Sequence, residues 1–213
     1  MRQLSEQFRV LFPLRRRVAN LPGVPTSRAG TRCRMLRRAV WQGLVAGLAG
    51  AAVMTAAEKV EQRLTGRPDS HVPARVLARL TGLPEQPTRQ PRWLNLTMHY
   101  GQGALVGILR GVMAQVGLRG PVASGMFTVA RLTSDQILEN ATGVGAPPQT
   151  WPRGELAVDV LHKTIYGFAT GAVADALAGR DGLGPGQRHA ALRPGRQSDI
   201  GPLPRRTAHT RRS

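Results

Sequence analysis

The stretch Trp93–Val116, WLNLTMHYGQGALVGILRGVMAQV, places glycine at 103, 107 and 111. That spacing sets all three on one face of a helix and leaves a groove free of side chains. In water, glycine at this density weakens a helix by about 1 kcal/mol per residue relative to alanine. In a bilayer the groove lets a second helix approach closely, and dispersion contacts then hold the pair. The same stretch carries His99 and Arg110, which lipid rejects unless a protein partner receives them. It therefore reads as a helix inside a membrane bundle, with one face tightly packed and two polar groups turned inward.

Three further stretches fit the same pattern. Ala39–Ala57 is a nineteen-residue run in which only Gln42 and Thr55 are polar, close to the roughly 20 residues a helix needs to cross about 30 Å of hydrocarbon. Gly43 and Gly47 give it a small-xxx-small pair, Arg37 and Arg38 precede it, and Glu58 and Lys59 follow. A cleaved signal peptide is the competing interpretation, but its charged leader would run to 38 residues and TAAEK is a poor cleavage site. A GLRGP turn at 117–121 leads into Val122–Glu139, whose second half carries Arg131, Asp135 and Glu139 at i, i+4, i+8 on one face. That spacing pairs Arg131 with Asp135. The last stretch, Glu155–Ala178, repeats the glycine spacing at Gly167 and Gly171 and lines up Asp159, His162 and Tyr166.

The expected fold is thus all-α: a four-helix transmembrane bundle with Gly-rich helix packing, spans at 39–58, 94–116, 121–139 and 155–178, and disordered Arg-rich tails. Its domains are a basic arm over 1–38, a membrane domain over 39–179 and a basic tail over 180–213. Between the first two spans, HVPARVLARLTG puts Val72, Val76, Leu77 and Leu80 on one side of a short helix. It would lie on the membrane surface, on the bundle's end, or as an ordinary surface helix. MHYGQGALVG and LHKTIYGFATG both open on a His followed by paired small residues, the mark either of a repeated two-helix unit or of chance likeness between Gly-rich helices.

The formal charge of +18 resides in the tails. Residues 1–38 hold ten Arg against Glu6, residues 180–213 eight Arg against Asp181 and Asp199, and only +3 is left for 39–179. The tails also pull down the mean hydropathy of -0.21. Basic tails bind anionic lipid headgroups or nucleic acid. The 4% aromatic content argues against a base-stacking surface, so no specific nucleic acid is expected. Two basic termini on the cytoplasmic side require an even number of crossings, which four spans satisfy. Nineteen Lys and Arg then lie inside against eight outside. A bacterial inner membrane, with both termini cytoplasmic, is the expected location. Cys33 is the only cysteine, which excludes an internal disulfide or a thiolate metal cluster.

Within the spans, Arg110, Arg131 and Lys163 balance Asp135, Glu139 and Asp159, and His99, His162 and Tyr166 join them as polar groups of the bundle interior. Such a network fixes helix register, or marks a route for protons or small ions in which the two histidines change charge near neutral pH. A third reading is an intramembrane metal site on Asp159 and His162, which have helical ligand spacing; carboxylate-bridged bundles carry that motif twice, and here it occurs once. There is no P-loop, no GxSxG and no dinucleotide fingerprint after a strand, so neither catalysis nor a cofactor is expected. The rival to the membrane reading is a soluble, helical, nucleic-acid-binding protein with Arg-rich arms.

WQGLVAGLAGAAVMTAAEKVEQRLTGRP, MHYGQGALVGILRG and LHKTIYGFATGAVAD resemble segments of small bacterial inner-membrane proteins of the YagU-like group. The resemblance spans roughly 39–179 and implies an inner-membrane helical protein without an assigned activity. A homodimer formed through a glycine face is a further expectation.

Overall fold

A computed structural model describes residues 28–84 and 90–192. Among these the chain is all-helical: α1 (Arg28–Thr65), α2 (Val72–Thr81), α3 (Arg92–Val116), α4 (Pro121–Ala141), a 3-10 turn (Pro148–Thr150), α5 (Arg153–Gly179) and α6 (Pro185–Leu192). The chain divides into two units, 1–35 and 36–213. All packing described below belongs to the second. The parts of both tails outside the described residues, and the expectations attached to them, are not placed.

α1 starts well before the apolar run at Ala39 that marked the expected span. Arginine is a good helix former and no proline follows Pro25 before Thr65, so the helix runs through the Arg-rich segment. At the 117–121 turn, α3 stops because Gly117 takes a left-handed backbone (φ 106°). Gly120 (φ 89°) turns the chain, and Pro121 occupies the first turn of α4, where a missing N–H costs nothing.

α1 and α3 meet backbone to backbone. A methyl group built on Gly43 would stand 2.6 Å from the Gly107 carbonyl oxygen, and one on Gly111 would stand 2.7 Å from the Gly43 Cα. Gly47 sits equally close against Gly103 and Ala104. α5 meets α4 through small side chains instead, with the Thr128 hydroxyl seated on Gly167 and the Ser124 hydroxyl on Gly171. The Gly103–Gly111 face is therefore occupied by α1 of the same chain, and a homodimer would have to use another surface. α2 packs on α3 through Ala74, Ala78 and Leu94. Its buried face is Ala74, Val76 and Ala78, while Leu80, expected on that face, is exposed.

The interior is small and the exterior large. The buried apolar residues of the long helices are mostly alanine, with Met54, Leu94, Met98, Met113, Phe127 and Tyr166. Trp41, Leu48, Val53, Leu105, Leu109, Val122, Met126, Val129, Ile137, Leu161 and Phe168 are exposed. Over the expected spans 39–58, 94–116, 121–139 and 155–178, Glu155 in the first turn of α5 is exposed, and every other Arg, Lys, Asp and Glu there is buried or half-buried. Only α1, over Gly30–Thr65, is long and apolar enough by composition to cross a membrane, among the described residues; 39% of its most apolar window is buried. α3, α4 and α5 do not reach that threshold.

Candidate functional site

The polar interior falls into two compartments separated by an apolar layer. At the end where α5 closes, Arg110 is fully buried with its Nη2 2.8 Å from Asp175 Oδ1. The contact is one of charge, without the angle of a hydrogen bond: Asp175 Oδ1 and Arg110 Nε have no hydrogen-bond partner. Asp175 Oδ2 accepts from the Gly120 N–H at 2.8 Å, so the carboxylate also ties α5 to the turn before α4. Just beyond, Asp181 accepts from Arg38 (2.6 Å), Gln42 (2.9 Å) and Gln115 (2.8 Å). Burial raises the Asp181 carboxyl, but the Gln115 and Gln42 hydrogen bonds and the Arg38 charge together hold it below its ordinary value. Arg119 closes the end of α5 by donating to the carbonyls of Ala178 and Gly182.

The separating layer is built on Phe127 and Tyr166, both fully buried, with Ala51, Met54, Met113 and Ala123. Tyr166 donates its hydroxyl to the Gly103 carbonyl oxygen at 2.6 Å, so a side chain of α5 bonds the backbone of α3 where glycine leaves it bare.

At the opposite end a cavity of about 570 Å³ opens between the helices. Its floor is an ion-pair chain across α4 and α5. Arg131 Nε stands 3.1 Å from Asp135 Oδ2, Lys163 Nζ lies 3.4 Å from the same oxygen, and Lys163 also bonds Asp159 at 2.8 Å. Gln102 of α3 donates to Asp135 Oδ1 at 2.7 Å. The Arg131 guanidinium also lies 5.0 Å above the Tyr166 ring, a cation–π contact that joins floor to layer. The walls include Glu58, Arg67, Asp69, His99, Glu139, Trp151, Glu155 and His162. Outside the bundle, Arg67 hydrogen-bonds Glu61 through Nε and Nη2 and holds its carboxyl below the ordinary range. Lys59 does the same for Asp69.

No known protein family, characterised protein or solved structure matches this chain.

Most of the residues singled out in the sequence gather around this cavity: His99, Arg131, Asp135, Glu139, Asp159, His162 and Lys163 line it, and Tyr166 lies just beneath. Arg110 stands apart in the other compartment. The three-against-three balance of charges is not the pairing found. Asp135 serves both Arg131 and Lys163, Arg110 takes Asp175, and Glu139 has no Lys or Arg within 4 Å among the described residues. The count omitted Asp175, although it lies in the fourth stretch; an acid in an apolar run is the signal that would have found it. Gln102 carries no such signal, because a glutamine on a helix is usually solvated. His99 stands 3.0 Å from Thr55 Oγ1. Among the described residues no three His, Cys, Asp or Glu side chains lie close enough together to hold a metal ion, so Asp159 and His162 lack the third ligand that a metal site needs.

Proposed function

We propose that this chain is an integral membrane protein in which α1, α3, α4 and α5 cross a bacterial inner membrane, with both termini in the cytoplasm. The observation that carries the reading is the sorting of side chains: the buried apolar groups are mostly alanine, the charged groups of 39–57, 94–116, 121–139 and 156–178 are buried or half-buried, and many large aliphatic groups are exposed. A protein folded in water buries its large aliphatics, and contiguous exposed apolar patches beyond a few hundred Å² mark a membrane or a partner. Here all four helices carry exposed large apolar side chains, and small residues mediate their contacts as they do between helices in lipid. The charged side chains within 94–116, 121–139 and 156–178 are buried or half-buried, so they do not oppose insertion as lipid-facing charges would. The resemblance to the YagU-like group agrees with this reading, and the basic tails suit anionic headgroups on the cytoplasmic face.

The cavity then opens to the side away from the cytoplasm, bounded by the segments after α1 and before α5. Reporter fusions test this arrangement: a reporter after Arg67 or Gly145 should lie outside the cell and one after Ser213 inside. A cytoplasmic signal at Gly145 would overturn it.

A second reading makes the cavity the outer half of a proton or small-ion route. The chain Arg131–Asp135–Lys163–Asp159 at its floor favours it, because ionisable groups at membrane depth mark such routes. The Phe127–Tyr166 layer closes the path, so conduction requires that layer to move.

A further inference from the structure

We propose that the cavity is a binding site for a small organic ammonium ion. The proposal rests on the membrane reading for the side on which the ligand arrives, but its argument is one of charge and chemistry within the cavity.

Each fixed cation at the cavity has a carboxylate partner. Arg67 is held by Glu61, Arg131 by Asp135, and Lys163 by Asp135 and Asp159, while Lys59 behind the wall holds Asp69. Three carboxylates remain: Glu58 on α1, Glu139 on α4 and Glu155 on α5 line the cavity with no Lys or Arg within 4 Å among the described residues. They come from three helices; the Arg67 charge reaches Glu58 and Glu155 and the Lys163 charge reaches Glu139, but the cavity lining still holds more carboxylates than fixed cations.

His162 adds an independent sign. It is 8% exposed, it lines the cavity, and its Nε2 has no hydrogen-bond partner among the described residues. A buried polar atom left unmatched costs free energy, and a neutral imidazole nitrogen can accept one N–H. Trp151 supplies an aromatic surface in the same wall, the usual complement to an ammonium group.

The geometry separates an organic cation from a bare ion. Among the described residues no three His, Cys, Asp or Glu groups gather as metal ligands, and carboxylates lining a space of about 570 Å³ match a charge carried on a body of several carbon atoms. That volume lies within the range of small-molecule pockets.

The test uses the full chain purified in mild detergent, titrated with butylammonium at constant ionic strength and followed by calorimetry. Saturable binding is expected, with sodium butyrate, the same carbon chain with the opposite charge, showing none. The double variant Glu58→Gln/Glu139→Gln should bind at least tenfold more weakly, and His162→Ala should also weaken binding. Absence of saturable binding to the folded wild-type protein would overturn the proposal. So would binding of butyrate equal to that of butylammonium, displacement by magnesium at equal concentration, or unchanged affinity in the double variant. If that variant does not keep its helicity, the wild-type comparison of the two probes decides alone. Failure of the membrane reading looks different: the chain would then stay dissolved and folded without detergent.

Discussion

Arg110 is fully buried, and Asp175, with 22% of its side chain exposed, is the carboxylate facing it. Removing one partner of a buried pair leaves an uncompensated charge and costs roughly 3–5 kcal/mol. The partial exposure of Asp175 puts Asp175→Asn at the lower end of that range. Replacing both residues, as Arg110→Leu/Asp175→Asn, should recover most of the loss, because no buried charge is then left alone. Denaturation in detergent micelles measures both variants, and a single variant as stable as the wild type would show that the pair does not hold the helices. The contrast with Arg131 shows what a sequence reveals at this scale. Its partner Asp135 lies on the same helix at i+4, and the spacing alone announces the pair. Asp175 is brought to Arg110 by tertiary packing of α5 on α3, and helical periodicity carries no information about which helices become neighbours.

At the scale of elements, the contact between α1 and α3 depends on backbone approaching backbone. A methyl group on Gly107 would stand 2.6 Å from the Cα of Gly47, which cannot move aside as a flexible side chain could. Gly107→Ala therefore has to push the helices apart and should destabilise by about 1–3 kcal/mol, as overpacking does. On the same helix, a methyl group on Gly101 would meet nothing within 4 Å. Gly101→Ala should stabilise by up to about 1 kcal/mol through helix propensity. Thermal unfolding of the two variants in the same detergent checks the pair, and equal effects would refute the packing argument. The four-residue glycine spacing in the sequence predicted a bare face; that α1 would fill it was not legible, since a second copy could fill the same groove. The start of α1 was hidden for another reason. Charge marked 28–38 as part of an arm, whereas helix propagation from an apolar run depends on the absence of breakers.

For the whole molecule, the decisive feature is which side chains meet the surroundings. α3 buries Arg110 and exposes Leu96, Leu105 and Leu109, and α4 buries Arg131 and Asp135 and exposes Val122, Met126, Val129 and Ile137. The all-helical architecture was readable from spacing and turns, and so was the gathering of His99, Asp135, Glu139 and His162 round one interior. The separation of that interior into two compartments was not, because it depends on Phe127 and Tyr166 meeting across α4 and α5, and neither residue announces a layer in one dimension. The measurement that tests the account most directly is the state of the purified full chain as detergent is removed. Surfaces of this kind predict that the protein stays folded and monodisperse only with detergent or lipid present, and that membranes holding it retain it through a carbonate wash. A folded monomer that remains in solution with no amphiphile present would contradict the account.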